Sequence, residues 1–246
     1  MGEPDRGQHY LIDEKIAEYI IKEAELTSKD IVLDIGAGQG ALTEKIDKVC
    51  SCIAIEIDEE NIVQLRKLPL KNTKIYAGNV LKLVPRFKFN KIVANIPYAI
   101  SEPLFYLLAK KRFDLGIMTI GESFWNILNS ETKIGQLFRA TYDITKLQEV
   151  PKTAFNPAPR TESAIIKIRP KTKRTATEEL LNRLLFLDDK KLKNSLLTIT
   201  EGIATKKQVK EILQDELYDE KLAQLSNAQF QTLQKDITRI LKKKVS

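Results

Sequence analysis

The chain of 246 residues predicts an α/β core followed by a small helical domain. Short apolar runs typical of buried strands alternate with helical patterns up to residue 170, which favours a parallel sheet with helices on both faces. Beyond a basic, proline-containing segment at residues 169–175, every pattern is helical. We therefore predict one domain over residues 1–170 and a second over residues 171–246.

The first domain is predicted to begin with an amphipathic helix over residues 13–25, whose isoleucines share one side. Strands are predicted near residues 31–35, 52–57, 73–77, 91–95, 115–120 and 163–168. The stretch 145–163 has the character of a loop around its three prolines, and the strand after it is expected to complete the sheet.

The second domain is predicted to contain four helices, over residues 178–187, 190–199, 207–217 and 228–241. Ser226 and Gln229 have the spacing of a capping box, in which each side chain bonds the other residue's backbone N–H at the start of the last helix.

A glycine-rich turn follows the first predicted strand, where residues 30–40 read Asp-Ile-Val-Leu-Asp-Ile-Gly-Ala-Gly-Gln-Gly. Glycines there permit positive φ and let a ligand approach the backbone closely. Glu56 ends the next strand, about 20 residues on, where a carboxylate can accept hydrogen bonds from both hydroxyls of a ribose. The pattern predicts a Rossmann-like core that binds a dinucleotide or S-adenosylmethionine.

Two details favour S-adenosylmethionine. The spacing is Gly-x-Gly-x-Gly, whereas dinucleotide sites usually read Gly-x-Gly-x-x-Gly. Asp34 also lies just before the first glycine, where it would repel a pyrophosphate but attract a methionine ammonium.

The tetrapeptide Asn95-Ile96-Pro97-Tyr98 follows an apolar strand, at the sheet edge where open α/β proteins bind ligands. An amide, a proline of fixed φ and an aromatic ring suit the binding of a flat, amino-bearing group. The amide can accept its N–H hydrogens while the ring stacks on its face.

With these motifs on the page, the chain resembles the ribosomal RNA adenine N6,N6-dimethyltransferase family, in particular the enzymes that dimethylate two adjacent adenines near the 3′ end of small-subunit rRNA. Four further stretches carry the resemblance, in the family's order: Gly7–Asp13, Ile100–Leu104, Phe155–Ala164 and Phe186–Leu196.

The resemblance implies a catalytic role for five residues. The Asn95 side-chain oxygen and the Ile96 carbonyl would hold the two N6 hydrogens of adenine, and Pro97 would restrict the backbone so that this carbonyl points into the site. Tyr98 would stack on the flipped base, and Phe155 would close over it from the other side.

The resemblance also implies a donor site made of Gln8, Leu11, Gly36, Gly38, Glu56, Ile57, Asn79 and Asn95. Glu56 would take the ribose hydroxyls, and Ile57 would pack on the adenine of S-adenosylmethionine. The family has Asp where this chain has Asn79, so we expect weaker donor binding rather than none.

Other departures lie near the expected path of the RNA. Ala99 replaces a usual Asn, Ile120–Gly121 replaces Gln-Lys, and residues 135–138 read Gly-Gln-Leu-Phe instead of Gly-Arg-Leu-Ser. They bear on the target more than on the chemistry.

The charge distribution points to an anionic partner. The formal net charge is +7, and the residues from Lys171 onward hold 16 Lys and Arg against 11 Asp and Glu. We expect small-subunit rRNA, within a small ribosomal subunit precursor, to contact Arg160, Lys190, Lys191 and Lys193.

Composition favours a cytoplasmic monomer with no metal site. No apolar run reaches the length of a membrane span, and nothing has the pattern of a signal peptide. Cys50 and Cys52 are too few for a zinc site and suit packing in a reducing compartment.

Three other functions stay open at this point. A large-subunit rRNA methyltransferase shares the Asn-Ile-Pro-Tyr motif, although the lysine-rich helix after residue 190 resembles the small-subunit enzymes. A non-catalytic RNA-binding assembly factor on the same fold is disfavoured by the intact Asn95, Tyr98 and Glu56. A dinucleotide oxidoreductase lacks support from any hydride-handling residue.

Overall fold

The computed structural model describes residues 8–242, so Gly7 of the N-terminal motif lies outside the described residues. The strands are β1 (Tyr10–Leu11), β2 (Ile31–Ile35), β3 (Ser51–Glu56), β4 (Thr73–Ala77), β5 (Lys91–Asn95), β6 (Leu115–Gly121), β7 (Tyr142–Val150), β8 (Phe155–Asn156) and β9 (Ser163–Pro170).

The helices begin and end as follows: α1 (Glu14–Glu23), α2 (Thr43–Asp47), α3 (Glu59–Lys67), α4 (Val80–Leu83), α5 (Ser101–Ala109), α6 (Glu122–Leu128), α7 (Lys133–Thr141), α8 (Ala176–Leu185), α9 (Leu192–Ile199), α10 (Lys206–Ile212) and α11 (Asn227–Lys242).

A seven-stranded sheet in the order β4-β3-β2-β5-β6-β9-β7 forms the core. The strands β4, β3, β2, β5 and β6 are parallel, as the alternating pattern predicts. The strand β9 runs antiparallel to β6, so the sheet is mixed and the expectation of a parallel sheet is wrong at this end. Strand direction leaves no mark on the side-chain period of two, which is why the pattern did not indicate the reversal.

The edge strand β7 was not predicted. It takes up residues 145–150 of the stretch that the sequence indicated as loop-like, and it lies beside β9, so β9 does not complete the sheet. Most side chains of β7 are exposed or half-buried, and a strand of this kind lacks the apolar alternation by which strands are recognised.

The sheet-flanking helices start at side-chain caps. Asp13 accepts hydrogen bonds from the first backbone N–H groups of α1, and Asp58 does the same for α3. Ile16 and Ile20 of α1 are buried as the periodicity predicts, and Ile21 is half-buried.

The chain divides into two compact units. The first holds the described residues up to Asn126 together with Asp143–Pro170, and the second holds Ile127–Tyr142 with the described residues from Lys171 onward. The assignment of residues 1–170 to catalysis and of residues 171–246 to RNA docking stays a prediction.

Helices build the second unit. The capping box of α11 is confirmed, since Ser226 and Gln229 each accept the other residue's backbone N–H. The helix predicted over residues 207–217 is shorter than expected, because α10 ends at Ile212 and a separate 3₁₀ turn begins at Glu216.

Cys50 and Cys52 are both free and buried, and burial raises the pKa of the Cys50 thiol to about 11. Over residues 8–242, no helix combines the length and the apolar character needed to cross a membrane.

Candidate active site

A cavity of about 250 Å³ lies at the C-terminal ends of the strands β2, β3 and β5. Strand order explains it, because β2 and β5 are neighbours although sixty residues separate their motifs. The predicted site residues that line the cavity are Gln8, Leu11, Gly36, Gly38, Glu56, Ile57, Asn79, Asn95, Ile96, Pro97 and Tyr98.

The glycine turn after β2 forms one wall. Gly36 and Gly38 have φ values of +68° and +54°, a region that other residues rarely adopt. A Cβ atom on Gly36 would lie 3.2 Å from the Pro97 ring, and one on Gly38 would lie 3.2 Å from the Tyr10 ring. Both positions therefore need glycine for conformation and for space.

Glu56, at the end of β3, presents a buried carboxylate that backbone groups hold in place. Its Oε2 accepts the Gly38 N–H at 2.7 Å, and its Oε1 accepts the N–H groups of Ile57 and Asp58, both at 2.8 Å. A carboxylate has about four acceptor sites, so these three bonds leave capacity for a ribose hydroxyl.

Asp34 is the second buried carboxylate on the cavity wall. Burial raises its pKa to about 7, the Thr43 hydroxyl donates to it at 2.6 Å and lowers the pKa, and the nearby Glu56 carboxylate raises it. A cation bound beside Asp34 would favour the ionised form, as the sequence predicts for a methionine ammonium.

Ile57 and Asn79 lie toward the adenine end of the predicted donor site. The Ile57 side chain is 62% exposed and offers an apolar surface to a ring. The Asn79 Oδ1 already accepts the Leu81 N–H at 2.8 Å and so caps α4. An adenine amine would share this oxygen with the cap, which agrees with the expectation of weaker donor binding.

Asn95, the last residue of β5, carries a buried acceptor without a partner. Its Nδ2 donates to the His9 carbonyl at 2.9 Å, which fixes the side-chain amide. No donor within residues 8–242 reaches its Oδ1, although that atom is buried. A buried, unpaired oxygen is unfavourable by about 1–3 kcal/mol, so its retention on a cavity wall indicates a ligand N–H.

The backbone after Asn95 turns into the site at Pro97. The Ile96 N–H donates to the Thr119 carbonyl of β6 at 2.9 Å, so the neighbouring strand holds this peptide. Pro97 has φ −58° and ψ 125°, an extended conformation that precedes a single 3₁₀ turn.

Tyr98 is held on three sides. A Cβ on Gly121 would lie 3.2–3.4 Å from three atoms of its ring, so one ring face lies against the bare backbone there. Its hydroxyl bonds to Ser163 Oγ, and the His9 ring lies 5.6 Å away between centroids. Burial raises the pKa of the Tyr98 hydroxyl, which therefore stays protonated near neutral pH.

Phe155 does not line the cavity. Its side chain is 3% exposed and belongs to the hydrophobic core, and its strand β8 pairs with β1, placing Phe155 opposite Leu11. In this structure its ring supports the N-terminal strand of the cavity, and the stacking role drawn from the resemblance finds no support in this placement.

The predicted RNA-binding residues lie in both units and are described separately. Arg160 is an exposed residue of the first unit. In the second unit, Lys190 and Lys191 are exposed and Lys193 is half-buried, and the Lys191 ammonium lies 3.5 Å from the Asp219 carboxylate.

Sequence reasoning assigned no role to His9, Tyr10, Asn61, Gly121 or Ser163. The first two belong to the N-terminal motif and Ser163 to the proline-rich loop motif, so the resemblance could have indicated them. Asn61 has no sequence signal, because a polar residue within a helix is usually exposed.

The family is decided by comparison with known proteins. A model of the ribosomal RNA adenine dimethylase family matches residues 2–236. The chain belongs to this family. It is accordingly an S-adenosylmethionine-dependent rRNA adenine methyltransferase.

Similar proteins agree with that membership. The ribosomal RNA small subunit methyltransferase A of Methanococcoides burtonii is 35% identical over 206 residues, covering 77% of this chain and 76% of its own length. The protein of the same name from Methanosarcina barkeri is 34% identical and covers 89% and 85%. A dimethyladenosine transferase from Plasmodium falciparum superposes with a TM-score of 0.64 at 25% identity, covering 94% and 98%.

The cavity of this dimethylase family member fits S-adenosylmethionine on its own observations. Gly36 and Gly38 leave the floor open to a ligand, and two buried carboxylates face it from β2 and β3. These groups complement a ribose and an ammonium, while Asn95 Oδ1 remains for the adenine of the substrate.

Proposed function

We propose that this dimethylase transfers methyl groups to N6 of two adjacent adenines in small-subunit rRNA during ribosome biogenesis. The observation that carries the proposal is the buried, unpartnered Oδ1 of Asn95 on the cavity wall. The names of the relatives from Methanococcoides burtonii and Methanosarcina barkeri support the small-subunit target.

Asn95 acts by binding the nucleophile. The N6 amine of adenine is a weak nucleophile because its lone pair is delocalised into the ring. When Oδ1 accepts one N6 hydrogen and the Ile96 carbonyl accepts the other, the nitrogen is drawn toward tetrahedral geometry and its lone pair is localised. The His9 carbonyl keeps Oδ1 in place by binding Nδ2 at 2.9 Å. Much of the acceleration then comes from positioning.

Bound S-adenosylmethionine supplies an electrophilic methyl group on a sulfonium. Glu56 holds its ribose, Asp34 faces its ammonium, and Gly36 and Gly38 allow it to approach the backbone.

Tyr98 holds the flipped adenine from one side. The Gly121 backbone covers one face of its ring, so the ring can present its other face to a base. Stacking of a base on an aromatic ring contributes about 1–3 kcal/mol, comparable to the few kcal/mol that flipping requires.

The lysines of the second unit bind RNA phosphates in this proposal. Lys190 and Lys191 are exposed, and contacts between lysines and phosphates supply affinity that falls as salt rises. The monomeric state and the cytoplasmic location stay predictions of the sequence.

The test is methylation of ribosomal subunits from a strain that lacks this modification, using labelled S-adenosylmethionine and nucleoside analysis of the rRNA. We expect N6,N6-dimethyladenosine in small-subunit RNA and no label in large-subunit RNA. Label only in the large subunit would refute the target, and donor binding without any label would mean that the RNA target is a different one.

Two variants test the role of Asn95 in the same assay. Asn95→Ala should lower the rate by about 10²–10³, the range found when one preorganised hydrogen-bonding group is removed, while donor binding changes little. Asn129→Ala, at an exposed asparagine outside the cavity, is the matched control. Loss of donor binding in Asn95→Ala would contradict the role given to its oxygen.

A further inference from the structure

We propose that Tyr10 and Asn61 are positioning residues, which orient the side-chain amide of Gln8 so that its NH₂ group binds the carboxylate of the methyl donor. The inference rests on the proposed function for the presence of that donor, and it adds the residues that select its methionine end.

The three side chains form one chain of hydrogen bonds along the cavity. The Asn61 Nδ2 donates to the Tyr10 hydroxyl at 3.2 Å, and that hydroxyl donates to Gln8 Oε1 at 3.1 Å. All three residues line the cavity, and the Tyr10 ring lies directly over Gly38.

The direction of these bonds decides which end of Gln8 is available. A tyrosine hydroxyl has a single hydrogen, and because Asn61 is a donor to it, that hydrogen is free to point at Gln8. The Gln8 oxygen is therefore turned toward Tyr10, and its NH₂ group remains as the end that can bind a ligand. An amide NH₂ only donates, so the ligand atom must be an acceptor.

Complementarity identifies that acceptor. The cavity already presents two carboxylates, Asp34 and Glu56, which suit the ammonium and the ribose hydroxyls of S-adenosylmethionine. The remaining strong hydrogen-bonding group of the molecule is its carboxylate, for which a fixed amide donor is the matching partner.

The chain of bonds starts from a rigid point. Asn61 is 3% exposed, and its backbone N–H is bound by the Asp58 side chain that caps α3. The Asp58 N–H is in turn bound by Glu56 Oε1. The orientation of Gln8 is thus tied to the same backbone that positions the predicted ribose ligand.

The experiment measures two dissociation constants in the full chain by calorimetry, for S-adenosylhomocysteine and for 5′-methylthioadenosine. The second ligand keeps the adenine, the ribose and the sulfur but lacks the amino acid end. The variants are Tyr10→Phe, which keeps the ring over Gly38, Asn61→Leu, their double variant, and Gln8→Glu, which replaces the NH₂ by an oxygen. Tyr19→Phe on α1, outside the cavity, is the control for loss of a hydroxyl.

We expect Tyr10→Phe and Asn61→Leu each to weaken S-adenosylhomocysteine about 10-fold, with no further loss in the double variant. Gln8→Glu should weaken it about 100-fold, because two carboxylates would then face each other. None should change the affinity for 5′-methylthioadenosine by a comparable factor.

Equal losses for the two ligands would overturn the inference, since Tyr10 and Asn61 would then only hold the cavity wall. Additive losses, or unchanged affinity in Gln8→Glu, would overturn it as well. Failure of the unaltered protein to bind S-adenosylhomocysteine would refute the donor assignment itself, and the inference with it.

Discussion

Alanine at Gly36 should disturb the candidate active site in proportion to two effects that the structure separates. The first is conformational, because φ is +68° there and the left-handed region is unfavourable by about 1–2 kcal/mol for a residue with a Cβ. Alanine also restricts the unfolded chain, which offsets about 0.4–1 kcal/mol. The net loss of unfolding free energy is about 1 kcal/mol, a fall in Tm of about 2–4 °C.

The second effect is a contact. The new Cβ would lie 3.2 and 3.3 Å from two carbons of Pro97, against about 3.5–4.0 Å for carbon atoms at rest. Pro97 must therefore move by a few tenths of an ångström, and it lies between Asn95 and Tyr98. A misplacement of about 1 Å can lower a rate 10²-fold, so we expect methyl transfer to fall on the order of 5-fold.

Gly202→Ala is the matched control. Gly202 has φ +78° and an added Cβ there would meet nothing within 4 Å, so it shares the strain without the contact. Both variants should show the same fall in Tm by thermal unfolding, and only Gly36→Ala should lose initial rate in the rRNA methylation assay. Full activity in Gly36→Ala, or an equal loss in both, would refute the reasoning.

Three further predictions concern a buried acid, an aromatic ring and the basic helix. Asp34 has its pKa raised from 3.8 to about 7, so the folded protein binds the extra proton and its stability should fall as pH rises from about 4 to about 7; Asp34→Asn should flatten that fall in Tm measured at pH 5 and 8. Ser163→Ala and Tyr98→Phe each remove one end of the same hydrogen bond, so their losses in methyl transfer should not add in the double variant, and additive losses would mean that Ser163 acts elsewhere. Replacing Lys190, Lys191 and Lys193 by Gln should reduce the slope of log affinity against log salt by up to about 0.9 per phosphate contact, whereas replacing Lys206, Lys207 and Lys210 provides a comparison at another set of surface lysines. An unchanged slope for the first set would show that these lysines do not contact phosphate.

Much of the fold could be predicted because the buried strands are short apolar runs between turn residues. The strands β2, β4 and β5 have the predicted bounds, and the glycine turn and the Asn95 tetrapeptide lie at the strand ends where the pattern placed them. The edge strand β7 was missed because its side chains are largely exposed or half-buried. The direction of β9 was missed because tertiary pairing, and not local sequence, sets it.

The site was predictable where one residue type is needed at one backbone position. Gly36, Gly38, Glu56 and Asn95 are of this kind, and all four line the cavity. Contacts between distant side chains could not be read from spacing. Asn61 meets Tyr10 across 51 positions, and Phe155 lies in the core because β8 pairs with β1.

The burial of both cysteines makes the chain a ready scaffold for optical labelling. The full sequence holds only Cys50 and Cys52, and burial raises the pKa of both thiols, so neither supplies reactive thiolate near neutral pH. A cysteine introduced at Val63, which is 51% exposed on α3, would then be the single site that a maleimide dye modifies. That helix also carries Asn61, so the dye would report binding events in the cavity without removal of any native residue from it.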